Sequence, residues 1–413
     1  MTSTVYIDAK IIDPANKIDM LGSLITTDGK ITAVGADITP PKGAEIVECD
    51  GRILCPGFID MRAHDVDTEA ALAGGITTLI LQPDQTTTID HDSAVERIIS
   101  RAKAGKSLKV YPMGAATKGM QGAEIAEIGK MLTSGAVAVT DCRKSVANAQ
   151  VMRRLMEYCR YFDCLIVQFA EEPALASNGV AHEGHIASGM GLNGIPAIAE
   201  AIQIERDALL SELTGAKLHI ALVSSREGLK AIRAAKDRGV NITCSVAPHY
   251  LQLNHNAMDG FRTFAKVSPP LREEEDRLAL IEALGDGTID TLVSDHDPRS
   301  VDVKRLPFAQ AATGVIGFET MLAASLSCVH SGQVRMTRLI ASLTCNPAKI
   351  LGLNLGTLTA GSAADITIFD PDMPWRIEAE NLLGTSKNTA FDTLPCQGKV
   401  WRTITDGICV YKG

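Results

Sequence analysis

The residues able to do chemistry stand in short groups, each closing an apolar run. Arg62-Ala63-His64 follows GFIDM, Gln82-Pro83-Asp84 follows TTLIL, and Asp141 follows AVAVT. Phe169-Ala170-Glu171 ends the LIVQF run, and Leu222-Val223-Ser224 ends LHIAL. Asp295-His296-Asp297-Pro298-Arg299 follows DTLVS. An imidazole at His64 and carboxylates at Asp141 and Asp295 are donors of the kind zinc takes, and three protein ligands with one open position suit hydrolysis. Arg62 beside them brings a fixed positive charge to the place a divalent cation would need. His182-Glu183-Gly184-His185 offers two more histidines, but it lies in a Gly-rich stretch and lacks the i, i+4 spacing of HExxH; it reads as a surface loop rather than a metal site.

Eight apolar runs must position these groups: GFIDM, TTLIL, LKVYP, AVAVT, LIVQF, LHIAL, ITCSV and DTLVS. Between most of them lie segments of 3.6-residue periodicity, such as ANAQVMRRLMEYCRYF and SREGLKAIRAAKDRG. Strands alternating with helices of these lengths predict parallel strands with helical crossovers, and eight units predict a (β/α)8 barrel. In that architecture catalytic side chains sit at the C-terminal strand ends, where the groups above fall. No G-x-G-x-x-G follows the first strand, which argues against a doubly wound dinucleotide fold. His219, inside a strand, is expected to pack in the core. The glycines of AGGITT serve close packing rather than phosphate binding.

Residues 1–55 and 356–413 are β-branched and carry Asp-Gly turns at Asp28-Gly29, Asp50-Gly51 and Asp406-Gly407. Both ends are predicted to meet in one small β-sandwich domain flanking a barrel over 56–355. Across 413 residues the net charge is −9, and no basic run interleaved with aromatics suggests nucleic acid. The opening MTSTVYIDAKIID lacks a basic stretch followed by an apolar one, and no apolar run reaches membrane-spanning length. A cytoplasmic protein is expected. Its ten cysteines are dispersed with no CxxC pair, so they read as reduced, packed thiols.

Four segments carry a family resemblance. PGFIDMRAH resembles the PGFIDxHxH opening of metal-dependent amidohydrolases, and AALAGGITTLILQPD resembles their AAxxGGxTTxxxMPN. KVSPPLREEEDRLALIEALGDGTIDTLVSDHDP is similar to the dihydroorotase stretch from PPLR to DHAPH, and GTLTAGSAADITIFDPD to the closing β segment. Taken in order, they resemble the type I dihydroorotases over nearly the whole chain. The resemblance implies a barrel of the amidohydrolase type and identifies the metal positions as Arg62, His64, Asp141, Phe169, Leu222 and Asp295. Three of the four histidines expected there are Arg62, Phe169 and Leu222, and a second aspartate expected beside Asp141 is Cys142. Asp295 keeps the position of the proton-shuttling aspartate. The positions that hold substrate in the family are Val66, Asp84, Ser268 and Arg299, each departing from the family residue. His249 matches a family loop histidine.

Neither Phe nor Leu has a lone pair for zinc, and Arg62 is expected to sit in the metal's place, neutralising Asp141, Asp295 or both. These departures lead to the expectation of a pseudoenzyme without metal or cofactor, with Asp295 a relic of the general base. By resemblance, its role would be structural, as a non-catalytic partner of the aspartate transcarbamoylase catalytic chain in a homo- or hetero-oligomer. Two alternatives stand beside it. One is an active, zinc-dependent dihydroorotase or related cyclic-amide hydrolase using a reduced site of His64, Asp141 and Asp295. The other is a sensor that binds an anionic metabolite between Arg272, Arg299 and His296.

Overall fold

The structure, a computed structural model, describes residues 3–105 and 107–413. The chain opens with five strands: β1 (Ser3–Asp13), β2 (Ile18–Thr27), β3 (Lys30–Gly35), β4 (Glu45–Glu48) and β5 (Ile53–Pro56). The turns between them use the residues the sequence points to: Asp28 and Asp50 adopt φ of 47° and 49°, with Gly29 and Gly51 also at positive φ.

The barrel strands follow as β6 (Phe58–Ala63), β7 (Ile76–Leu81), β8 (Lys109–Pro112), β9 (Gly114–Ala115), β10 (Val139–Thr140) and β11 (Leu165–Gln168). After a short parallel pair, β12 (Ala181–His182) and β13 (Gly194–Ile195), come β14 (Lys217–Ile220), β15 (Ile242–Val246) and β16 (Thr291–Leu292). β6, β7 and β8 pair in parallel, as do β9, β10, β11, β14, β15 and β16 in that order. The ring closes where Ala63 bridges His296 in parallel and the His64 N–H donates to the His296 carbonyl at 2.9 Å. Each of the eight predicted runs is one barrel strand, the third of them continuing through β8 and β9. Most of their residues are buried, as expected for strands covered on both faces, with Lys109 and Tyr111 of β8 half-buried.

Crossover helices stand outside. In the helix Ala149–Tyr161 the buried Met152, Leu155, Met156 and Cys159 recur at helical spacing, and the Asn148 side chain caps its start by accepting from the N–H of Gln150 and Val151. The helix Ile198–Thr214 ends at Gly215, whose φ of 71° supplies the left-handed stop. One large core joins helices and strands.

The last strands, β17 (Ile366–Arg376), β18 (Pro395–Thr405) and β19 (Ile408–Lys412), return to the first five. Together they form a mixed eight-stranded sheet in the order β19-β18-β17-β5-β1-β2-β3, with β4 beside β1. Ile11, Leu24, Leu54, Ile366 and Ile368 fill its own core. The cysteines are free among the described residues. His219 is buried, with Nδ1 2.8 Å from the Thr243 hydroxyl. No helix among the described residues is long and apolar enough to cross a membrane.

Candidate active site

The strand ends converge on a buried cluster of charged groups at the barrel mouth. Asp60 on β6 anchors its floor: its carboxylate accepts from the N–H of Arg62 at 3.1 Å and of Ser294 at 3.0 Å, tying the first strand to the last. Burial pushes Asp60 up to about 6 despite these bonds. Arg62, 2% exposed, donates through Nε to Asp295 Oδ1 at 2.8 Å and through Nη1 to Gln82 Oε1 at 3.4 Å. Asp141 is not its partner; that carboxylate accepts from the Thr117 N–H at 2.9 Å and from the Thr117 hydroxyl. Burial raises the Asp141 pKa, with the Thr117 bonds acting against it.

His64 faces two carboxylates. Its Nδ1 lies 2.7 Å from Asp84 Oδ2, and its Nε2 lies 3.7 Å from Asp295 Oδ1. An Nδ1–H donated to Asp84 leaves the lone pair of a neutral ring on Nε2, a buried atom with no hydrogen-bond partner. Burial works against a charge on Asp84, but the His64 hydrogen bond and the nearby Arg143 and Arg62 hold it down at about 2. Burial opposes charge on Asp295 too; Arg143, His64 and Arg62 outweigh it and keep this carboxyl far below its usual range. Asp295 adopts a left-handed φ of 48°, and its Oδ2 is buried without a partner. Phe169 and Leu222 are buried.

Of the positions expected to meet substrate, Asp84 alone turns into this charge network as a hydrogen-bonding partner of His64. Val66 is 39% exposed. Ser268 is half-buried. Arg299 is held on Asp297 at 2.9 Å and on the Thr313 carbonyl at 3.1 Å. The three residues expected to cradle an anion are separately engaged. Arg272 donates to Ser224 Oγ, His182 Nδ1 and the Ile195 carbonyl. His296 stacks flat on Phe318 with ring centroids 3.7 Å apart.

Arg143 was not among the expected site residues. It follows Asp141 by two positions, donates to Asp297 at 2.7 Å, and keeps buried Nε and Nη1 without partners. The strand-end rule that picks out Asp141 covers it as well. His249 is also drawn in: burial lowers it to about 4, with Asp295 and Arg143 both close enough to act on it.

A second group lies toward β12 and β13. His182, His255 and Glu273 present one ligand atom each, all within 4.8 Å of one another. His182 Nε2 is 3.9 Å from Glu273 Oε1, and His255 has a buried, unpartnered Nδ1. His185, the other histidine of the expected surface loop, is exposed, with its ring edge-on to His255 at 5.1 Å. Nothing in the sequence pairs His182 with residues 73 and 91 positions further on; the fold alone does so.

These two groups differ in their fit to a metal. On the barrel axis the family's paired-metal arrangement does not fit, because Phe169 and Leu222 have no donor atoms and the Arg62 guanidinium already neutralises Asp295. The second group, two imidazoles and a carboxylate, is a donor set zinc accepts.

The closed parallel barrel with a sheet made from both chain termini is an architecture this chain shares with solved cyclic amidohydrolases. The solved structure of L-hydantoinase (dihydropyrimidinase) from Arthrobacter aurescens matches with a TM-score of 0.89 at 25% identity, covering 100% of this chain and 96% of that one. A D-hydantoinase structure matches with a TM-score of 0.87 at 22% identity, which speaks for the fold alone. Residues 51–228 match the dihydro-orotase-like family model. Dihydroorotases from Geobacter metallireducens and Pelobacter propionicus are 40% and 39% identical, each over 98% of both chains. This chain belongs to the dihydroorotase family.

Two expectations are corrected here. The chain was expected to be a non-catalytic pseudoenzyme; relatives at about 40% identity over almost their whole length carry an enzyme's name, and the structural-subunit role beside aspartate transcarbamoylase falls with that expectation. The chain was also expected to need no metal; the imidazole–carboxylate group at His182, His255 and Glu273 overturns this. The sequence missed the group because its members are distant along the chain.

Proposed function

We propose that this chain is a metal-dependent cyclic-amide hydrolase of the dihydroorotase type that works with a reduced and rearranged site. The supporting observation is the His64 imidazole: buried, oriented by Asp84, and carrying an unpartnered Nε2 beside Asp295 at the strand ends. His182, His255 and Glu273 would hold the metal, which when bound supplies a Lewis acid and a more acidic water.

The chain's own residues divide the remaining work. His64 Nε2 is the buried, unpartnered acceptor that stands beside Asp295 at the strand ends. It removes the proton from the attacking water and returns it to the leaving ring nitrogen. Asp84 fixes the tautomer and supports the imidazolium that forms, as carboxylates beside catalytic histidines do. Arg62 and Arg143 keep buried, unpartnered N–H groups in the same cluster, which can stabilise charge growing on the amide oxygen. Water exclusion strengthens each of these interactions.

The test is hydrolysis of dihydroorotate, with hydantoin and dihydrouracil as comparison rings, by zinc-loaded and chelator-treated protein. Turnover that chelation abolishes and zinc restores supports the proposal. No turnover of any of the three by zinc-loaded protein overturns it.

A further inference from the structure

Two lysines, Lys266 and Lys304, are buried, and neither forms an ion pair among the described residues. Each spends its ammonium donors on backbone carbonyls instead. Lys266 Nζ donates to the carbonyls of Phe308, Ala309 and Ala311 at 2.7, 3.2 and 2.8 Å. Lys304 Nζ donates to those of Ala312, Gly314 and Lys266 itself at 3.0, 3.0 and 3.4 Å. Arg299 takes the Thr313 carbonyl between them. The loop 308–314 thus turns its carbonyls inward onto cationic side chains, where a surface loop would turn them to water. Burial lowers both lysines, Lys304 to about 8; there Asp297 opposes the shift, while Lys266, Arg299 and Arg143 add to it. A buried charge is costly without a counter-ion. Here the carbonyl dipoles stand in for one, with the Phe308 ring 5.4 Å from Lys266 Nζ.

The loop ends against the strand-end cluster. The Gly314 N–H returns to the Lys266 carbonyl at 3.2 Å, and the Val315 carbonyl accepts from the Asp297 N–H at 2.8 Å. A Cβ at Gly314 would lie 2.0 Å from Asp297 Oδ2, so the loop backbone sits directly on that carboxylate. The same oxygen accepts from Arg143 at 2.7 Å. Burial opposes the charge on Asp295, and Arg143 leads the groups that outweigh it. We propose that Lys266 and Lys304 are positioning residues, tethered cations around which the loop 308–314 folds and which, through that loop, fix Asp297 and Arg143 in the cluster. Lysine suits the role: a compact charge with three rotatable donors collects carbonyls arriving from different directions, which a planar guanidinium does less well. The effect of these lysines on turnover rests on the hydrolase reading; their effect on the loop does not.

The experiment is hydrogen-exchange mass spectrometry on the full chain, read on the peptide covering 305–317. The N–H groups of Gln310, Ala311, Ala312 and Gly314 are hydrogen-bonded there, so slow exchange is expected in the wild type. Lys304→Ala is expected to speed it by roughly tenfold or more. Propylammonium, which replaces the atoms deleted from Cγ to Nζ, is expected to restore protection, whereas propanol and tetramethylammonium are not. In zinc-loaded protein, kcat for dihydroorotate is expected to fall by about 10²-fold and to recover with the same ion. Lys266→Ala, which empties the other ring of carbonyls, replaces Lys304→Ala if that variant does not fold. An inactive wild type leaves the exchange readout in force, so failure of the hydrolase reading is told apart from failure of the loop. Slow exchange in both variants overturns the proposal, as does an open loop with kcat unchanged. So does protection that propanol restores as well as propylammonium, or that neither restores, because packing rather than a cation is then the cause.

Discussion

The barrel axis and the cluster near β12 and β13 both set buried histidine beside carboxylate, yet they solve the electrostatic problem in opposite ways. On the axis, the chain provides its own cations: Arg62 lies 2.8 Å from Asp295, and Arg143 lies 2.7 Å from Asp297. Near β12, His255 keeps a buried Nδ1 with no partner, and His182, His255 and Glu273 each offer one ligand atom within 4.8 Å of the others. A buried carboxylate satisfied by a guanidinium is unavailable to a divalent ion, whereas neutral imidazoles around one carboxylate gain from receiving one. The difference teaches that conserving a carboxylate such as Asp295 in sequence does not conserve its partner.

The largest effect expected from separating the two regions is on turnover. His64→Ala removes the proposed base and is expected to lower kcat by about 10²–10⁴-fold, while zinc content measured by atomic absorption stays unchanged. Loss of zinc in this variant would instead place the metal on the axis. Arg62→Met leaves Asp295 buried and unpaired, which is expected to cost about 3–5 kcal/mol in urea unfolding. A smaller loss would mean that Arg143 alone carries the Asp295 charge.

His255→Ala tests the other region. Changes one shell away from a metal weaken its binding by about 10–100-fold, so losing a ligand is expected to cost at least ~100-fold in zinc affinity by competitive titration. Stability should change little in the metal-free protein. Arg272 donates to His182 Nδ1, which puts the neutral ring's hydrogen on Nε2, toward Glu273. Taking a metal through Nε2 therefore needs the other tautomer, with the Arg272 bond given up.

The smallest effect concerns stability against pH. Burial lowers His219 to about 3 and His249 to about 4, below the ordinary value of 6.5. The folded state binds these protons less readily than the unfolded chain does, so their contribution is fully present above pH 6.5. It diminishes as pH falls from there toward 4. Asp84, held at about 2, adds a loss only below about pH 4. Urea midpoints between pH 7 and 5 should therefore fall in the wild type and fall less in His249→Gln. Equal slopes would remove His249 from the acid response.

Much of the scaffold was legible because it depends on periodicity. The runs GFIDM through DTLVS became barrel strands, and the Asp-Gly pairs at 28–29 and 50–51 became turns, since both signals are local. The pairing of Arg62 with one of the strand-end carboxylates was also foreseeable, because strand ends of a closed barrel must face one another. Which carboxylate was not: Asp141 is withdrawn by Thr117, 24 residues earlier. Asp84 looked like a spoiled substrate contact, and its distance from His64 shows it to be an orienting group. The inference from missing ligands to missing function failed because it weighed only the positions where ligands were expected.

The sequence by itself determined the barrel, the sheet made from both termini, and the residues brought to the strand ends. Those follow from hydrophobic period, turn chemistry and chain order, which are written locally. Tertiary structure alone decided which charges neutralise each other and that His182, His255 and Glu273 share one place. Side-chain electrostatics acts over a few ångströms in space, and no spacing along the chain encodes that distance.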